Sequence, residues 1–193
     1  MKRIKAVYDE KTIRVYQAYN DRIADEALKI GTFGKSFKRE RMTWIKTSFL
    51  WIMYRSGWAE KENQERILAI DIKRTGFEEI LRNAVLSSYS ERTNVPRETW
   101  QEMVKNSDVR CQFDPDRDIF GNPQKDRAIQ LGLRGKFVCR YIDDYIVKIS
   151  DITPFVRDLK QQRDEGFSID DRLPKEIDYP VDEETVKILG MEE

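Results

Sequence analysis

Residues 41–58 read RMTWIKTSFLWIMYRSGW, and the way this stretch folds decides how the rest of the chain is arranged. It holds Trp44, Trp51 and Trp58, three of the four tryptophans. It also sets Arg41, Lys46 and Arg55 among bulky apolar side chains. From 44 to 56 there is no proline, glycine or carboxylate, and apolar residues cover nearly every angular position of a helix. That pattern predicts a buried helix over 44–56, capped by Thr43 and stopped by Gly57. Buried cations must be paired or must receive an anion. On the helical wheel Ser48 and Arg55 fall near Trp44 and Trp51, with Lys46 on the opposite side. Guanidinium, hydroxyl and indole on one surface suit an anion that carries an aromatic ring. The competing reading pairs Arg55 with a chain carboxylate such as Asp71 and leaves the tryptophans as ordinary core.

Outward from this stretch, the N-terminal side predicts two strands. Residues 4–8 form a short one, and 12–19 (TIRVYQAY) form a longer one with Ile13, Val15, Gln17 and Tyr19 on one face and Arg14, Tyr16 and Ala18 on the other. Asn20 is placed to cap a helix over 21–30 that Gly31 ends. Residues 32–40 form a basic loop. On the C-terminal side, 66–72 (RILAIDI) reads as a strand. Thr75 and Glu78 have capping-box spacing for a helix to about residue 88, and a loop follows over 90–94. Pro96 opens another helix. Strands over 109–113 and 127–133 flank a turn-rich 114–126, a short helix covers 135–143, and 145–149 is a strand. Thr153 and Pro154 start a helix to about residue 164. Adjacent and helix-separated strands together predict an α+β domain over 1–166, with a mixed, split sheet flanked by helices. Residues 167–193 are expected as an irregular acidic arm.

Composition narrows the chemistry. The 193 residues contain 35 basic and 35 acidic side chains, so no global field favours nucleic acid or membrane, and attraction to phosphate must be local. Histidine is absent, which removes Ser-His-Asp and Cys-His catalysis and histidine-ligated metals. No metal is expected. Cys111 and Cys139 have no ligand spacing and read as buried free thiols, which suits a reducing cytoplasm. No run reaches the length of a membrane span.

Further candidate residues lie outside the central stretch. Arg14 and Tyr16 share a strand face, so Arg14 is either a second cation of the same pocket or a solvated edge residue. Asp114, Asp116 and Asp118 alternate, but Ile119 and Lys125 occupy positions where a calcium loop needs glycine and a carboxylate. A turn in which the aspartates bond their own backbone is the better account. Gln130 sits between Ala128 and Gly132 on one strand face, which leaves room either for a ligand or for close backbone packing.

The segments VYDEKTIRVYQAYNDRIADEAL, RERMTWIKTSFLWIMYRSGWA, RILAIDIKRTGFE, VRCQFDPDRD, RAIQLGL and IVKISDITP together resemble the domain-of-unknown-function family 4291. Thr47 stands where that pattern has a proline, and Phe113 where it has a tryptophan. The resemblance extends to the ADP-ribosyltransferase-like folds, which bind NAD in the cleft of a split sheet. On that likeness Arg14 would hold an NAD phosphate, with Tyr16 and the 41–55 segment completing the pocket. No glutamate occupies 145–149, where a glutamate-dependent transferase would want one.

The resulting expectation is an enzyme that binds a nucleotide-type anion, NAD or a phosphorylated end, and transfers a group from it. Arg14, Arg41, Trp44, Lys46, Ser48, Trp51 and Arg55 would bind, and Tyr16 and Gln130 would orient the reacting group. One alternative is a non-catalytic module that holds RNA or DNA through the 35–41 loop. The other is a protein-interaction domain whose arginines are core ion pairs.

Overall fold

The computed structural model describes residues 1–89 and 95–191; the loop expected over 90–94 lies outside them. The elements run β1 (Lys5–Ala6), β2 (Thr12–Tyr19), α1 (Asp21–Ile30), β3 (Thr43–Lys46), α2 (Phe49–Ser56), β4 (Arg66–Lys73), α3 (Arg74–Arg82), β5 (Val85–Leu86), α4 (Arg97–Asn106), β6 (Val109–Arg117), β7 (Pro123–Leu133), α5 (Gly135–Arg140), β8 (Ile146–Asp151), α6 (Thr153–Asp164), β9 (Ile177–Asp178) and α7 (Glu183–Leu189). Seven strands form one mixed sheet in the order β5-β6-β7-β3-β2-β4-β8, and β1 and β9 form a small antiparallel pair. Within the large sheet β5 runs parallel to β6, and the other neighbours are antiparallel. The fold is α+β.

Both faces of the sheet centre are covered. One packs Ile13, Val15, Leu68, Ile70 and Leu131 against Ala24 and Ala27 of α1 and Phe77 and Ile80 of α3. The other packs Tyr16, Ile67 and Ala69 against Phe49, Ile52 and Met53 of α2 and Val156 and Leu159 of α6. A strand covered on both sides loses polar alternation, which is why RILAIDI is nearly continuous in apolar residues. The β2–β3 seam is thin. These strands share a single ladder pair, Tyr16↔Lys46, so the sheet opens beyond it toward Tyr19 and Thr43. There the Gln17 side chain stands in for the missing ladder: its Nε2 donates to the Trp44 carbonyl at 3.2 Å and to Thr43 Oγ1 at 2.7 Å, and its Oε1 accepts from Tyr141 Oη at 2.8 Å.

α1 forms where its caps place it. Asn20 accepts from the Ile23 N–H, and Gly31 takes the left-handed conformation. The expected helix over 44–56 is instead a strand followed by a shorter helix. Thr43, Trp44 and Ile45 are strand formers, and β3 lies inside the sheet with Ile45 buried on one face and Lys46 on the other. Burial on both faces produces the all-round apolar pattern that a buried helix also produces. Ser48, rather than Thr43, is the cap, accepting from the Trp51 N–H at 3.2 Å.

Other expectations are also corrected. The capping box at Thr75 and Glu78 does not form, and α3 ends at Arg82 because Val85–Leu86 pairs with β6. The turn-rich 114–126 segment is mostly strand, with a tight turn in which Asp118 Oδ1 accepts from the Phe120 and Asn122 N–H groups. The helix expected over 135–143 is α5 followed by a single π-helical turn, Tyr141–Tyr145. Cys111 is buried as expected, but Cys139 is exposed. Over the described residues 167–191, the expected arm is more ordered than its composition suggests. β9 pairs with β1, Tyr179 packs edge-on against Tyr8 and Phe77, and α7 buries Leu189 under an Asp182 cap.

Candidate functional site

The ladder registers bring four polar or aromatic side chains into one row across four strands. Tyr16 pairs with Lys46, Lys46 with Gln130, and Gln130 with Gln112. Directly opposed residues share a face, so the row lies on the side of the sheet that α2 covers. The neighbouring row is Trp44, Gly132 and Arg110. A side chain on Gly132 would meet Met42 Sδ and the Trp44 ring within 3.0 Å, so the glycine makes room for the Trp44 ring. Past the edge of α2 this surface opens as a cleft of about 490 Å³, lined by Trp44, Lys46, Trp51, Arg55, Gln112 and Gln130, with Gln17 and Thr43 at the β2–β3 seam and Gln64 from the segment before β4. That volume lies in the range of small-molecule sites.

Lys46 is the chemically unusual residue of the cleft. It is 7% exposed, and no carboxylate among the described residues lies within ion-pair distance of it. Its Nζ sits 5.2 Å from the centre of the Trp51 ring, in cation–π range. Burial, and then the positive charge of Arg55, lower its pKa to about 8, with Asp114 opposing weakly. Gln130 Nε2 donates to Asp114 Oδ2, which ties up the acid whose charge opposes the shift of the lysine. The Trp51 indole N–H is buried and has no acceptor among the described residues. Arg55, in the last turn of α2, is exposed and makes no hydrogen bond or ion pair among the described residues. The cleft thus offers an inner amine and an outer guanidinium, with tryptophan rings and amide side chains alongside.

Five of the nine candidate residues meet in this cleft: Trp44, Lys46, Trp51, Arg55 and Gln130. The other four do not line it. Arg14 is paired across the ladder with Asp71, its Nε at 2.8 Å and one Nη at 3.0 Å from the two carboxylate oxygens, so the structural ion pair accounts for it. Arg41 is exposed in the turn before β3. Ser48 caps α2 and donates to Asp116 Oδ1 at 2.8 Å. Tyr16 is 1% exposed beneath α2, edge-on to Phe49, and its hydroxyl has no partner among the described residues. Burial holds its ionisation well above the usual phenol range, so it is an unsuitable base. Arg55 is also not the buried cation its neighbours implied. In the basic loop, Arg39 is bound at both ends to Asp143 and Glu26 accepts the Lys35 and Ser36 N–H groups, so that loop is fastened to the fold.

Sequence reasoning missed Gln112 and Gln64. Gln112 alternates with Val109, Cys111 and Phe113, which are buried, so its outward face was legible. Its position opposite Gln130 was not, because strand pairing is set by the fold. Among the described residues no group of three or more acids, cysteines or histidines gathers to hold a metal, and no helix is long and apolar enough to cross a membrane.

A family model, domain of unknown function DUF4291, matches residues 3–179. The chain belongs to the DUF4291 family. The match takes in every strand of both sheets and every cleft residue, so the site sits inside the DUF4291 unit. No curated protein matches the chain.

Proposed function

We propose that the cleft binds a small nucleotide-type anion, NAD or a phosphorylated compound, and that the protein is an enzyme transferring a group from it. The observation that supports this reading is Lys46, buried with no carboxylate partner among the described residues in a cleft it shares with Arg55. A buried cation without a counter-ion is costly unless an anion arrives. Lys46 and Arg55 would share the negative charge. Trp44 and Trp51 would contact the flat ring, and Gln112 and Gln130 can each donate to and accept from an amide or base edge. Arg14 and Tyr16, which an ADP-ribosyltransferase-like site would use, have no part in this arrangement.

Thermal unfolding in the presence of NAD, ATP, nucleoside monophosphates and 5′-phosphorylated RNA ends tests the proposal. A ligand at one hundred times its Kd adds about 2.7 kcal/mol, roughly 5–10 °C for a chain of this size. At least one of these should raise Tm by that order, and Arg55→Ala should abolish the shift. Arg55 is exposed and unpaired among the described residues, so the variant keeps its fold. If none of them moves Tm, the reading fails.

A further inference from the structure

We propose that Lys46 is a nucleophile that captures the carbonyl carbon of an anionic aldehyde or keto compound as an imine, while Arg55 holds the anionic group. This rests on the anion-binding reading of the cleft and names the class of substrate it would take. The two cations stand at different depths. Arg55 is at the mouth, exposed, and permanently charged. Lys46 is inside, 7% exposed, its stem on a central strand and its amine against the Trp51 ring. Here one of the two is desolvated beside the other, which is the arrangement that turns a lysine into an amine nucleophile.

The neighbours that face Lys46 leave that chemistry open. On the ladder it is flanked by Tyr16 and Gln130, neither of which carries charge near neutral pH. From α2 it meets Trp51 and the charge of Arg55, and from β6 it meets Asp114, which Gln130 already engages. With its pKa near 8, Lys46 carries a neutral fraction at pH 7.5 on the order of a hundredfold above that of an ordinary lysine.

The step balances without an oxidant or reductant. The Lys46 nitrogen lone pair forms a bond to the carbonyl carbon, and the oxygen takes up the proton that the nitrogen releases, giving a carbinolamine. The C–O bond then breaks, and the hydroxyl leaves as water with the second nitrogen proton as C=N forms. Gln130 is placed next to the amine on the ladder, where its amide oxygen can accept a hydrogen bond from the carbinolamine.

Pyridoxal 5′-phosphate is a suitable probe because it joins an aldehyde, a flat ring and a phosphate. The wild-type protein is incubated with it at pH 7.5, the imine is reduced with sodium borohydride, and the adduct is located by peptide mass mapping. Pyridoxal, which lacks the phosphate, is run in parallel. The proposal expects the adduct on Lys46 well ahead of exposed lysines such as Lys11 and Lys125. It also expects labelling of Lys46 to fall on the order of tenfold or more with pyridoxal or in Arg55→Ala, because the anion contact is lost. Adducts spread over surface lysines with Lys46 unmodified would overturn it. So would equal labelling of Lys46 by both aldehydes, which would mean that no anion guides the capture. If phosphorylated ligands raise Tm while Lys46 stays unmodified, the anion-binding reading stands and the imine proposal falls.

Discussion

Replacing Lys46 with methionine should make the protein more stable at neutral pH. Methionine keeps the length and flexibility of the side chain and removes the charge. The structure lowers the Lys46 pKa from its ordinary 10.5 to about 8, which corresponds to about 3 kcal/mol against the protonated form in the folded state. Below pH 8 the lysine is protonated in both folded and unfolded chains, so this penalty is present in full. Between 8 and 10.5 the folded lysine is neutral while the unfolded one still binds its proton, so stability rises with pH there. Above that window the penalty is gone. Loss of the contact with the Trp51 ring returns about 0.5–1 kcal/mol. Lys46→Met should therefore gain about 2 kcal/mol at pH 7, roughly 4–8 °C in Tm, and the advantage should shrink toward zero by about pH 10.5. Urea unfolding of both proteins at pH 7 and at pH 10 measures this directly, with equal slopes showing that the same transition is compared. A variant that is less stable at pH 7, or a gain that does not change with pH, would refute the reasoning. Gain of stability on losing a site residue is the pattern expected where function holds a group in an unfavourable environment.

Three other outcomes follow from single residues. Tyr16→Phe removes a buried hydroxyl with no partner among the described residues, so stability measured by urea unfolding should be unchanged or rise by about 1 kcal/mol; a loss of that size would mean the hydroxyl is bonded. Gly76→Ala would set a methyl within 2.5 Å of the Tyr145 ring, both groups being fully packed, and should destabilise by about 2 kcal/mol or more, visible as a lower Tm. Glu176, whose Oε1 accepts the Phe49 N–H at 2.7 Å at the start of α2, has its pKa raised by burial to about 8. Its folded form therefore keeps a proton that the unfolded chain releases above 4.5, and stability falls as pH rises from there to 8. Glu176→Gln should flatten that decline in a pH series of thermal melts, and an unchanged slope would count against it.

The parts of the fold carried by local chemistry were legible in the chain. Asn20 and Gly31 bracket α1, and the alternation of 12–19 gives β2 its two faces. Where tertiary packing wins, the reading failed for a physical reason. A central strand such as β3, buried on both sides, has no polar face, and the segment 44–56 therefore looked like one continuous buried helix. The break at Ser48 matters for the site as well. A continuous helix puts Lys46 opposite Arg55, whereas a strand followed by a helix turns the chain so that both line one cleft. The helical wheel groups Arg55 with Trp44 and Trp51 but sets Lys46 apart from them, so the place of Lys46 beside Arg55 follows only from the strand-to-helix break. Arg14 meets Asp71 only through the β2–β4 register, and Gln112 meets Gln130 only through the β6–β7 register, so neither pairing is readable from the chain alone.

The central claim, that Lys46, Arg55 and the two cleft tryptophans form one anion site, is tested most directly by the indole N–H signals of 15N-labelled protein. Trp44 and Trp51 line the cleft, while Trp58 and Trp100 lie elsewhere and serve as internal references. Titration with NAD should shift the Trp44 and Trp51 signals together, leave Trp58 and Trp100 in place, and produce no change in Arg55→Ala. Shifts confined to Trp58 or Trp100, or no shift at millimolar ligand with any of the anions that the thermal screen includes, would contradict it.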